Sequence, residues 1–324
     1  MENNDDRSAR PCLGIGASCS LKVLKFGGTS VGSADRVRRV VEIVRQAARR
    51  YRVVVVTSAA SGVTNTLVSA LEAMRQETIM PEMLAEGLWA RYHVLATGVL
   101  RSESLRLYED MLQTWSDEIK RLAGITPVTQ ALADQVLALG ERLAAPLIAL
   151  ALRDAGLSAV PQDAASLVRT DDTFGAALVD VSETYRQVRA WHTRLPASTV
   201  PVVTGFIGAT RAGETTTLGR GGSDYSAALL AAALRAAVLE RWTDVDGLYT
   251  DDPYKNQQAH RLTRIRLEEA WAWNHAGCLG MHRKALDPLV EAEVPVHVRA
   301  TTTPEGPGTW ILPSGYEPIA AVAS

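Results

Sequence analysis

An uninterrupted run of valines, Val53–Val56, within the predicted strand Arg52–Thr57, is the segment that most restricts the fold of this 324-residue chain. A strand that is apolar at every position needs cover on both faces, which helices provide in parallel sheets. A second apolar segment, Leu21–Phe26, precedes it, and Ala34–Arg49 between them places valines at helical spacing with arginines on the other side. Two strands joined by an amphipathic helix predict a βαβ unit at the start of the fold.

The rest of the chain continues this alternation after one long interruption. Residues from Thr64 to about Arg153 are rich in Ala, Leu, Met and Glu and predict several successive helices. Strand and helix segments then alternate again, which predicts an α/β fold. The predicted strands are Ser158–Pro161, Thr199–Val203, Val238–Thr243, Val294–Arg299 and Thr309–Leu312. The predicted helices are Val181–Arg194, Tyr225–Ala236, Leu267–Ala276 and His282–Glu291.

Composition and charge argue against several classes of function. A formal net charge of -2 and the lack of any basic run provide no attraction to nucleic acid or to an anionic membrane. The three cysteines form no CxxC pair and the six histidines show no metal spacing, so neither a disulfide framework nor a protein-built metal site is predicted. Residues 1–20 do not resemble a signal peptide and are predicted to form a flexible extension. We therefore expect a cytoplasmic protein whose partners are small molecules and other subunits.

A Gly-rich loop beside a lysine follows the first predicted strand. Lys25 lies near the end of that strand, and Gly27-Gly28-Thr29-Ser30-Val31-Gly32 leads into the helix. Glycine N–H groups, a helix start and an ammonium group together suit a phosphate. A turn that is Gly-rich for structural reasons alone is an equal alternative for this segment taken by itself.

The segment Thr215–Asp224 carries a stronger signal of binding chemistry. Its ten residues hold threonine hydroxyls, Arg220, three glycines and a carboxylate directly before a predicted helix. The arginine can bind a carboxylate or a phosphate through two hydrogen bonds. Ser223 and Asp224 are predicted to cap the helix. A capped turn with an exposed arginine is the structural alternative.

Three further segments are ambiguous by themselves. Trp242–Tyr249 follows a predicted strand at the edge where α/β sheets bind ligands, but it also fits an Asp-Gly turn. Ser58–Asn65 leaves room for a substrate, although its residues are more typical of an ordinary helix start. Gly140-Glu141-Arg142 lies in a helical stretch, where a glutamate is most often solvated or paired with a neighbouring arginine.

Taken in order along the chain, these segments resemble the catalytic domain of aspartokinases, within the amino acid kinase family. The resemblance extends from about Leu21 to Leu312 and is most specific in Lys25–Val31 and Thr217–Asp224. Acetylglutamate, glutamate 5- and uridylate kinases share the fold but not this set of motifs. The resemblance implies a three-layer αβα sandwich with a mainly parallel central sheet and two lobes around a cleft.

The resemblance also implies a division of the chain. An N-lobe of about residues 21–200 would bind the amino acid, a C-lobe of about residues 201–313 would bind ATP, and residues 314–324 would form a tail. The twelve residues after Leu312 are too few for the regulatory ACT domains that aspartokinases commonly carry, so we expect none in this chain. Enzymes of this fold commonly dimerise, and the apolar helices between Thr64 and Arg153 predict a homodimer.

The implied reaction is the ATP-dependent phosphorylation of the side-chain carboxylate of L-aspartate, or of a close acidic amino acid, with Mg²⁺ on the nucleotide phosphates. Lys25 would neutralise charge on the transferred phosphoryl group, and Asp224 would orient Lys25 or help to position the metal and phosphate. Glu141 would hold the substrate ammonium and Arg220 a substrate carboxylate. The other implied amino-acid contacts are Ser58, Thr64, Phe174 and Ser223. The implied nucleotide contacts are Thr243, Asp244, Gly247, Tyr249 and the backbone N–H groups of Gly27 and Gly28. This assignment requires Lys25 and Arg220 to share one crevice.

The chain departs from the aspartokinase pattern at two cationic positions. Aspartokinases usually continue the nucleotide segment as Asp-Pro-Arg, whereas Tyr254 follows Asp252-Pro253 here, and Leu279 replaces the lysine of their Gly-Ala-Lys segment. The loss of two cations near a polyanion predicts weaker ATP binding. Three cations within a few residues of these positions are candidates to compensate, namely Lys255, Arg283 and Lys284. The alternative is a non-catalytic or repurposed homologue that binds an amino acid or acts on a different acidic substrate.

Overall fold

The computed structural model describes residues 20–251, 256, 258–274 and 281–314. These residues form an eight-stranded sheet with helices on both faces, and a two-stranded hairpin beside it. The strands are β1 (Leu21–Phe26), β2 (Arg52–Thr57), β3 (Ser158–Gln162), β4 (Thr199–Thr204), β5 (Ile207–Ala209), β6 (Thr215–Thr217), β7 (Val238–Thr243), β8 (Arg264–Arg266), β9 (Val296–Ala300) and β10 (Thr309–Leu312). The helices are α1 (Ala34–Ala48), α2 (Val63–Arg75), α3 (Pro81–Thr97), α4 (Ser102–Ala123), α5 (Gln130–Leu137), α6 (Leu139–Asp154), α7 (Val181–Arg194), α8 (Gly222–Ala233), α9 (Leu267–Asn274) and α10 (Arg283–Glu291).

The sheet is parallel except at one pair of strands. Its order is β3-β4-β2-β1-β7-β9-β10-β8, and β10 runs antiparallel to β9. The chain leaves β1 through α1 to reach β2 on one side, and β7 pairs with β1 on the other side. Ligands of open α/β sheets bind at such a reversal, beyond the carboxyl ends of the strands. The topology therefore places the loops after β1 and β2 at the expected binding edge.

Two hydrophobic clusters cover the two faces of the sheet. The α1 face packs Leu24 and Phe26 of β1 against helices α1 to α6. The α8 face packs Val23 of β1 and Leu239 of β7 against residues of α7, α8 and α10. This arrangement confirms the predicted three-layer αβα architecture with a mainly parallel sheet. Because both segments of the predicted two-lobe division contribute strands to the same sheet, that division stays a prediction.

The predicted βαβ unit is confirmed. Strands β1 and β2 have the predicted bounds and pair in parallel, and α1 ends one residue earlier than predicted. The Ser33 side chain accepts a hydrogen bond from the Arg36 N–H at 3.4 Å and caps α1. The helix buries Val37, Val40 and Val44 against the sheet, as their spacing predicts.

The predicted helical segment between Thr64 and Arg153 consists of α2 to α6. Within the described residues, the stretch Gln130–Asp154 is long and apolar enough to cross a membrane, but 83% of its apolar 18-residue window is buried inside the protein. It is therefore a core element, and α6 accordingly buries nearly all of its residues.

Apart from shifts of one or two residues at the ends of β3, β4, β9 and α10, two features differ from the sequence-based prediction after residue 200. The short strands β5, β6 and β8 are not predicted, because each has three residues and carries no periodic signal of its own. Helix α8 begins at Gly222 rather than at Tyr225, and its N-cap is Gly221 in the left-handed conformation with no side-chain cap. The prediction that Ser223 and Asp224 cap this helix is wrong, since both lie inside its first turn and line a crevice described below.

Candidate functional site

A crevice of about 790 Å³ lies at the carboxyl edge of β1 and β2. Its walls are the Gly-rich loop after β1, the loop after β2, the beginning of α2 and the segment between β6 and α8. The sequence-predicted residues that line it are Lys25, Gly28, Ser58, Thr64, Glu141, Arg220, Ser223 and Asp224. Lys25 and Arg220 therefore share one crevice, as the predicted assignment requires. We refer to this cavity as the crevice below.

Lys25 and Arg241 lie side by side and both contact Asp224. The register of β1 and β7 pairs the two residues. Lys25 Nζ lies 2.7 Å from Asp224 Oδ1, and Arg241 Nε lies 3.4 Å from Asp224 Oδ2. Burial alone raises the pKa of Asp224, but the charges and hydrogen bonds of Lys25 and Arg241 outweigh it and hold this pKa below its ordinary value. The ionised carboxylate thus fixes the position of the Lys25 ammonium.

Glu141 lies in the first turn of α6 and is 4% exposed, which argues against the alternative of a solvated side chain. The Ala59 N–H donates to its Oε1 at 3.0 Å. Its Oε2 is buried and has no hydrogen-bond partner within the described part of the chain. Burial raises the pKa of Glu141 to about 8, although the Ala59 N–H and the charge of Lys25 lower it. A buried carboxylate oxygen without a donor suits a cationic ligand group.

Glycines allow the backbone conformation of the segment before α8. Gly219 and Gly221 both have a φ of +72°, which favours glycine over other residues. A Cβ on Gly221 would also lie 2.6 Å from Cβ of His282, so the two loops pack closely. Arg220 between these glycines is exposed and lines the crevice. The backbone thus presents an exposed guanidinium to the crevice that the buried Lys25 also lines.

The loop after β1 approaches the loop after β2 closely. A Cβ on Gly28 would lie 2.8 Å from the Ala59 carbonyl oxygen, so only glycine fits without a shift. The Gly27 N–H donates to the Trp242 carbonyl at 3.2 Å. This bond holds the loop to the end of β7, and the contact of Gly27 with phosphate stays a prediction. Gly28 lines the crevice and stays a predicted phosphate contact.

The predicted nucleotide residues lie at the end of β7 and in the loop that follows it, and β7 is the neighbour of β1, the strand that carries Lys25. Thr243 donates through its hydroxyl to Asp244 Oδ1 at 3.0 Å, and the Tyr249 hydroxyl donates to Asp246 Oδ1 at 2.9 Å. Gly247 has a φ of +153°, and a Cβ there would lie 2.5 Å from Thr309 Oγ1. These residues are not among those that line the crevice, so their contact with a nucleotide stays a prediction.

Phe174 is half-buried and does not line the crevice, although its neighbour Gly175 does. Lys255, Tyr254 and Leu279 lie outside the described residues. The roles of Phe174 and Lys255 therefore stay predictions.

The other two candidate compensating cations begin α10. Arg283 and Lys284 directly follow His282, whose Nδ1 accepts a hydrogen bond from the Lys284 N–H at 3.3 Å. Since His282 packs against Gly221, both cations lie near the segment that carries Arg220. Their compensating role also stays a prediction.

Sequence reasoning missed Asp134, which connects three parts of the crevice wall. This carboxylate of α5 is 1% exposed. It accepts hydrogen bonds from the Gly175 N–H at 2.9 Å, the Thr217 N–H at 2.7 Å and the Thr217 hydroxyl at 2.9 Å. Because Thr217 directly precedes the Gly-rich segment, Asp134 fixes the base of the loop that carries Arg220. A lone aspartate in an apolar helix was the available signal.

We expect Asp134→Ala to raise the Michaelis constant for the acidic substrate about tenfold and to lower stability by about 2 kcal/mol. The substitution leaves the Thr217 and Gly175 N–H groups without their acceptor, and the loop with Arg220 loses its anchor. Steady-state kinetics and chemical denaturation measure the two effects. Asp134→Asn keeps one acceptor and should fall between Ala and wild type. A wild-type Michaelis constant in Asp134→Ala would show that the anchor does not position the loop.

A second missed residue, Tyr92 of α3, connects α6 to the loop after β2. Its hydroxyl donates to the Gly140 carbonyl at 2.7 Å and accepts from the Ala60 N–H at 3.3 Å. The side chain is fully buried. Tyr92 and the Ala59–Glu141 hydrogen bond together hold the glutamate against the loop. The sequence carries no signal for this contact, because a tyrosine on an amphipathic helix is an ordinary core residue.

A separate cavity of about 380 Å³ lies on the α1 face, around another buried ion pair. Lys22 Nζ lies 2.8 Å from Glu240 Oε1, and the Trp242 indole N–H donates to Glu240 Oε2 at 3.1 Å. Lys22 and Lys25 are on opposite faces of β1 and are similarly buried. Lys22 is therefore a matched control for Lys25.

The sequence profile of the amino acid kinase family matches residues 20–300. This chain belongs to the amino acid kinase family. Lysine-sensitive aspartokinase 3 of Escherichia coli (strain K12) is 35% identical over 296 residues, which are 89% of this chain and 63% of that protein. The aspartokinase of Chlamydia trachomatis is 33% identical over 293 residues, which are 90% of this chain and 64% of that protein. The predicted resemblance to aspartokinases is thereby confirmed.

Solved structures agree with this family assignment. The crystal structure of E. coli aspartokinase III in complex with aspartate and ADP has a TM-score of 0.83 at 32% identity and covers 92% of this chain. The match covers 66% of that structure, so the chain spans slightly less than two thirds of the aspartokinases it resembles. UMP kinase from Bacillus anthracis, at 13% identity and a TM-score of 0.50, shares the fold alone.

Proposed function

We propose that this amino acid kinase transfers the γ-phosphoryl group of ATP to the side-chain carboxylate of L-aspartate, giving 4-phospho-L-aspartate and ADP. The observation that carries the proposal is the crevice that Lys25, Glu141 and Arg220 share. The names of the matched relatives, and the aspartate and ADP in one matched structure, support the same substrates.

The charges of the crevice suit an acidic amino acid. The unpartnered Oε2 of Glu141 would accept the substrate ammonium, and the guanidinium of Arg220 would bind a carboxylate through two hydrogen bonds. Ser58 and Thr64 add hydroxyl groups to the wall between them. A substrate with one ammonium and two carboxylates would leave its second carboxylate for the reaction.

Lys25 would act at the transfer step. A carboxylate is already a nucleophile and needs no strong base, so catalysis depends on in-line positioning and on neutralising charge on the phosphoryl group. The buried ammonium of Lys25 can supply that charge, and the ionised Asp224 keeps it in place. Burial strengthens the interaction because little water screens it.

Magnesium would arrive on the nucleotide. Among the described residues, no three His, Cys, Asp or Glu side chains are grouped so as to hold a metal ion. Mg²⁺ usually keeps several waters and binds one or two carboxylates together with substrate phosphates, so it does not require a group of three protein ligands. The bound ion would neutralise phosphate charge, and Asp224 or Asp244 would be its available carboxylates.

Hydroxylamine trapping tests the proposed reaction directly. With ATP, Mg²⁺ and L-aspartate, we expect equal amounts of ADP and aspartyl hydroxamate, because hydroxylamine captures an acyl phosphate. Glutamate, N-acetylglutamate and uridylate should give no comparable turnover. Calorimetric binding of aspartate without any ADP release would instead favour a non-catalytic homologue, and turnover of another panel member would assign a different acceptor.

The homodimer and the cytoplasmic location stay predictions. Large apolar side chains are exposed along α2, α3 and α4, including Val68, Met83, Val94 and Leu107. They support the proposed contact between subunits through the helical segment.

A further inference from the structure

We propose that the cavity of about 380 Å³ on the α1 face is a second ligand site of this protein, which binds a small monocarboxylate through Arg299. This α1-face cavity is lined by residues of α1 and of the segment after it, and by Lys22, Glu240, Trp242, Arg299 and Pro304. It has no described lining residue in common with the crevice. The inference therefore does not depend on the proposed function.

Arg299 of β9 contributes a guanidinium with unused hydrogen-bonding capacity. A guanidinium carries several N–H donors in a planar fork, and the hydrogen bond described for this one runs from Nη2 to the Pro304 carbonyl. Its Nε is buried and has no hydrogen-bond partner within the described part of the chain. Buried N–H groups of native proteins nearly always have an acceptor, so this one calls for an acceptor on a ligand.

The Trp242 indole holds this guanidinium in place. The register of β7 and β9 pairs Trp242 with Arg299, and Arg299 Cζ lies 4.6 Å from the centroid of the indole ring. The indole N–H donates to Glu240 Oε2 at 3.1 Å, and the ring stacks with Phe26 at 6.1 Å between centroids. A guanidinium that is fixed before a ligand arrives loses less entropy when it binds one.

The charges around the α1-face cavity favour an anion with a single charge. Lys22 Nζ lies 2.8 Å from Glu240 Oε1, so these two side chains balance each other. Arg299 adds one positive charge, and no ion pair is described between it and a carboxylate of the described residues. Arg49 and Arg50 also line the cavity but have other interactions, so we assign no charge to them. A monocarboxylate matches the one remaining charge, whereas a phosphate would bring about two.

The other walls of the α1-face cavity suit a hydrocarbon group. Ile43 and Ala47 of α1 line it together with Pro304 and the indole of Trp242. Sites for small molecules usually have volumes of about 300–1,000 Å³ and combine apolar walls with a few polar groups. A carboxylate at Arg299 would place the hydrocarbon part of the ligand against these apolar side chains.

Calorimetry with benzoate on the full chain tests the site. We expect wild type to bind benzoate and to bind benzamide at least about tenfold more weakly, because benzamide has nearly the same shape without the charge. Arg299→Met should weaken benzoate binding about tenfold to a hundredfold. Arg299→Lys keeps the charge without the planar fork and should fall between Arg299→Met and wild type. Phenyl phosphate should bind no more tightly than benzoate.

Two further variants locate the bound benzoate. Arg189→Met removes an arginine that also donates to a backbone carbonyl and lies over an aromatic ring, but that lines a different cavity. Arg220→Gln removes the exposed cation of the crevice. Both variants should keep benzoate affinity within about threefold of wild type, and saturating L-aspartate should not displace benzoate.

Several outcomes would overturn the inference. Wild-type benzoate affinity in a folded Arg299→Met protein would do so, as would a wild-type protein that binds no benzoate. A tenfold loss in Arg220→Gln, or displacement of benzoate by aspartate, would place the benzoate in the crevice instead. Tighter binding of phenyl phosphate than of benzoate would overturn the ligand class.

A folding defect does not prevent the test. Thermal denaturation shows whether Arg299→Met is folded, and if it is not, unchanged benzoate affinity in Arg299→Lys equally overturns the inference. A wild-type protein that forms no aspartyl hydroxamate overturns the proposed function alone, because the comparison of the Arg299 and Arg220 variants still locates the bound benzoate.

Discussion

Replacing Lys25 by methionine is expected to lower the kcat of phosphoryl transfer about a thousandfold while the Michaelis constants change much less. Methionine has nearly the volume of the lysine stem but carries no charge, so negative charge on the transferred group loses its buried partner. Hydroxamate formation under saturating ATP and aspartate measures kcat directly. The size of the expected effect follows from burial, since Lys25 is 7% exposed and solvent cannot replace its charge.

Lys22→Met provides the matched control. Lys22 is another buried lysine of β1, and it pairs with Glu240 at the same kind of distance on the opposite face. Removing one partner of a buried ion pair costs about 3–5 kcal/mol, so both variants should be destabilised. In Lys25→Met, the Asp224 carboxylate still contacts the Arg241 guanidinium. In Lys22→Met, the partner left to Glu240 among the described residues is the Trp242 indole N–H. We therefore expect Lys22→Met to be at least as unstable and yet active.

Comparing the two variants separates catalysis from folding. A thousandfold loss in Lys25→Met with near-normal kcat in folded Lys22→Met would place the chemistry at the crevice. Retention of kcat within tenfold in Lys25→Met would remove the central step of the proposed mechanism. Thermal denaturation of both proteins identifies any loss that is due to unfolding.

Much of the fold could be predicted because its signals are local. The bounds of β1, β2, α7, β7 and β10 match the prediction to the residue, since each is a regular run with a period of two or 3.6 or an uninterrupted apolar segment. The bounds of α8 could not be found in this way. Its start depends on Gly221 and on the packing of His282 against that glycine, and these residues are distant in sequence.

The residues of the candidate site could be predicted where they belong to a short sequence motif. Lys25, Arg220 and Asp224 lie in Gly-rich segments, and the fold brings them together as predicted. Arg241 was not found because its partnership with Lys25 depends on strand register across more than 200 residues. The burial of Glu141 was also hidden, since it depends on Tyr92 and on the loop after β2. Tertiary contacts of this kind produce no periodic pattern in the sequence.

Replacing Glu141 by glutamine is expected to raise the Michaelis constant for aspartate about a hundredfold or more, because a buried partner of the substrate ammonium loses its charge. The wild-type protein should also bind aspartate more weakly as the pH falls from 9 to 6. Burial raises the pKa of Glu141 to about 8, and the protonated carboxyl cannot pair with an ammonium. Glu141→Gln should lose this pH dependence. Calorimetry across the pH range measures both effects.

Stability should show the opposite pH trend in the absence of substrate. The folded pKa of Glu141 is above its ordinary value of 4.5, so the folded state binds a proton that the unfolded state has released. The resulting stabilisation is present below about pH 4.5 and is lost as the pH rises through 8, with a difference on the order of 5 kcal/mol. Glu141→Gln does not titrate, so its stability advantage over wild type should grow between pH 5 and 8.

Measuring stability at saturating aspartate tests the pH dependence of binding and that of stability together. A bound ammonium stabilises the ionised carboxylate, so the substrate should remove most of the wild-type stability loss above pH 7 and should have little effect on Glu141→Gln. Glu240→Gln is the control, because Glu240 is similarly buried but pairs with Lys22 at the separate cavity and does not line the crevice. If aspartate stabilises wild type and Glu141→Gln alike at pH 8, the ammonium binds elsewhere. Glu141 would then be a buried structural acid, and the orientation proposed for the substrate in the crevice would have to be reversed or abandoned.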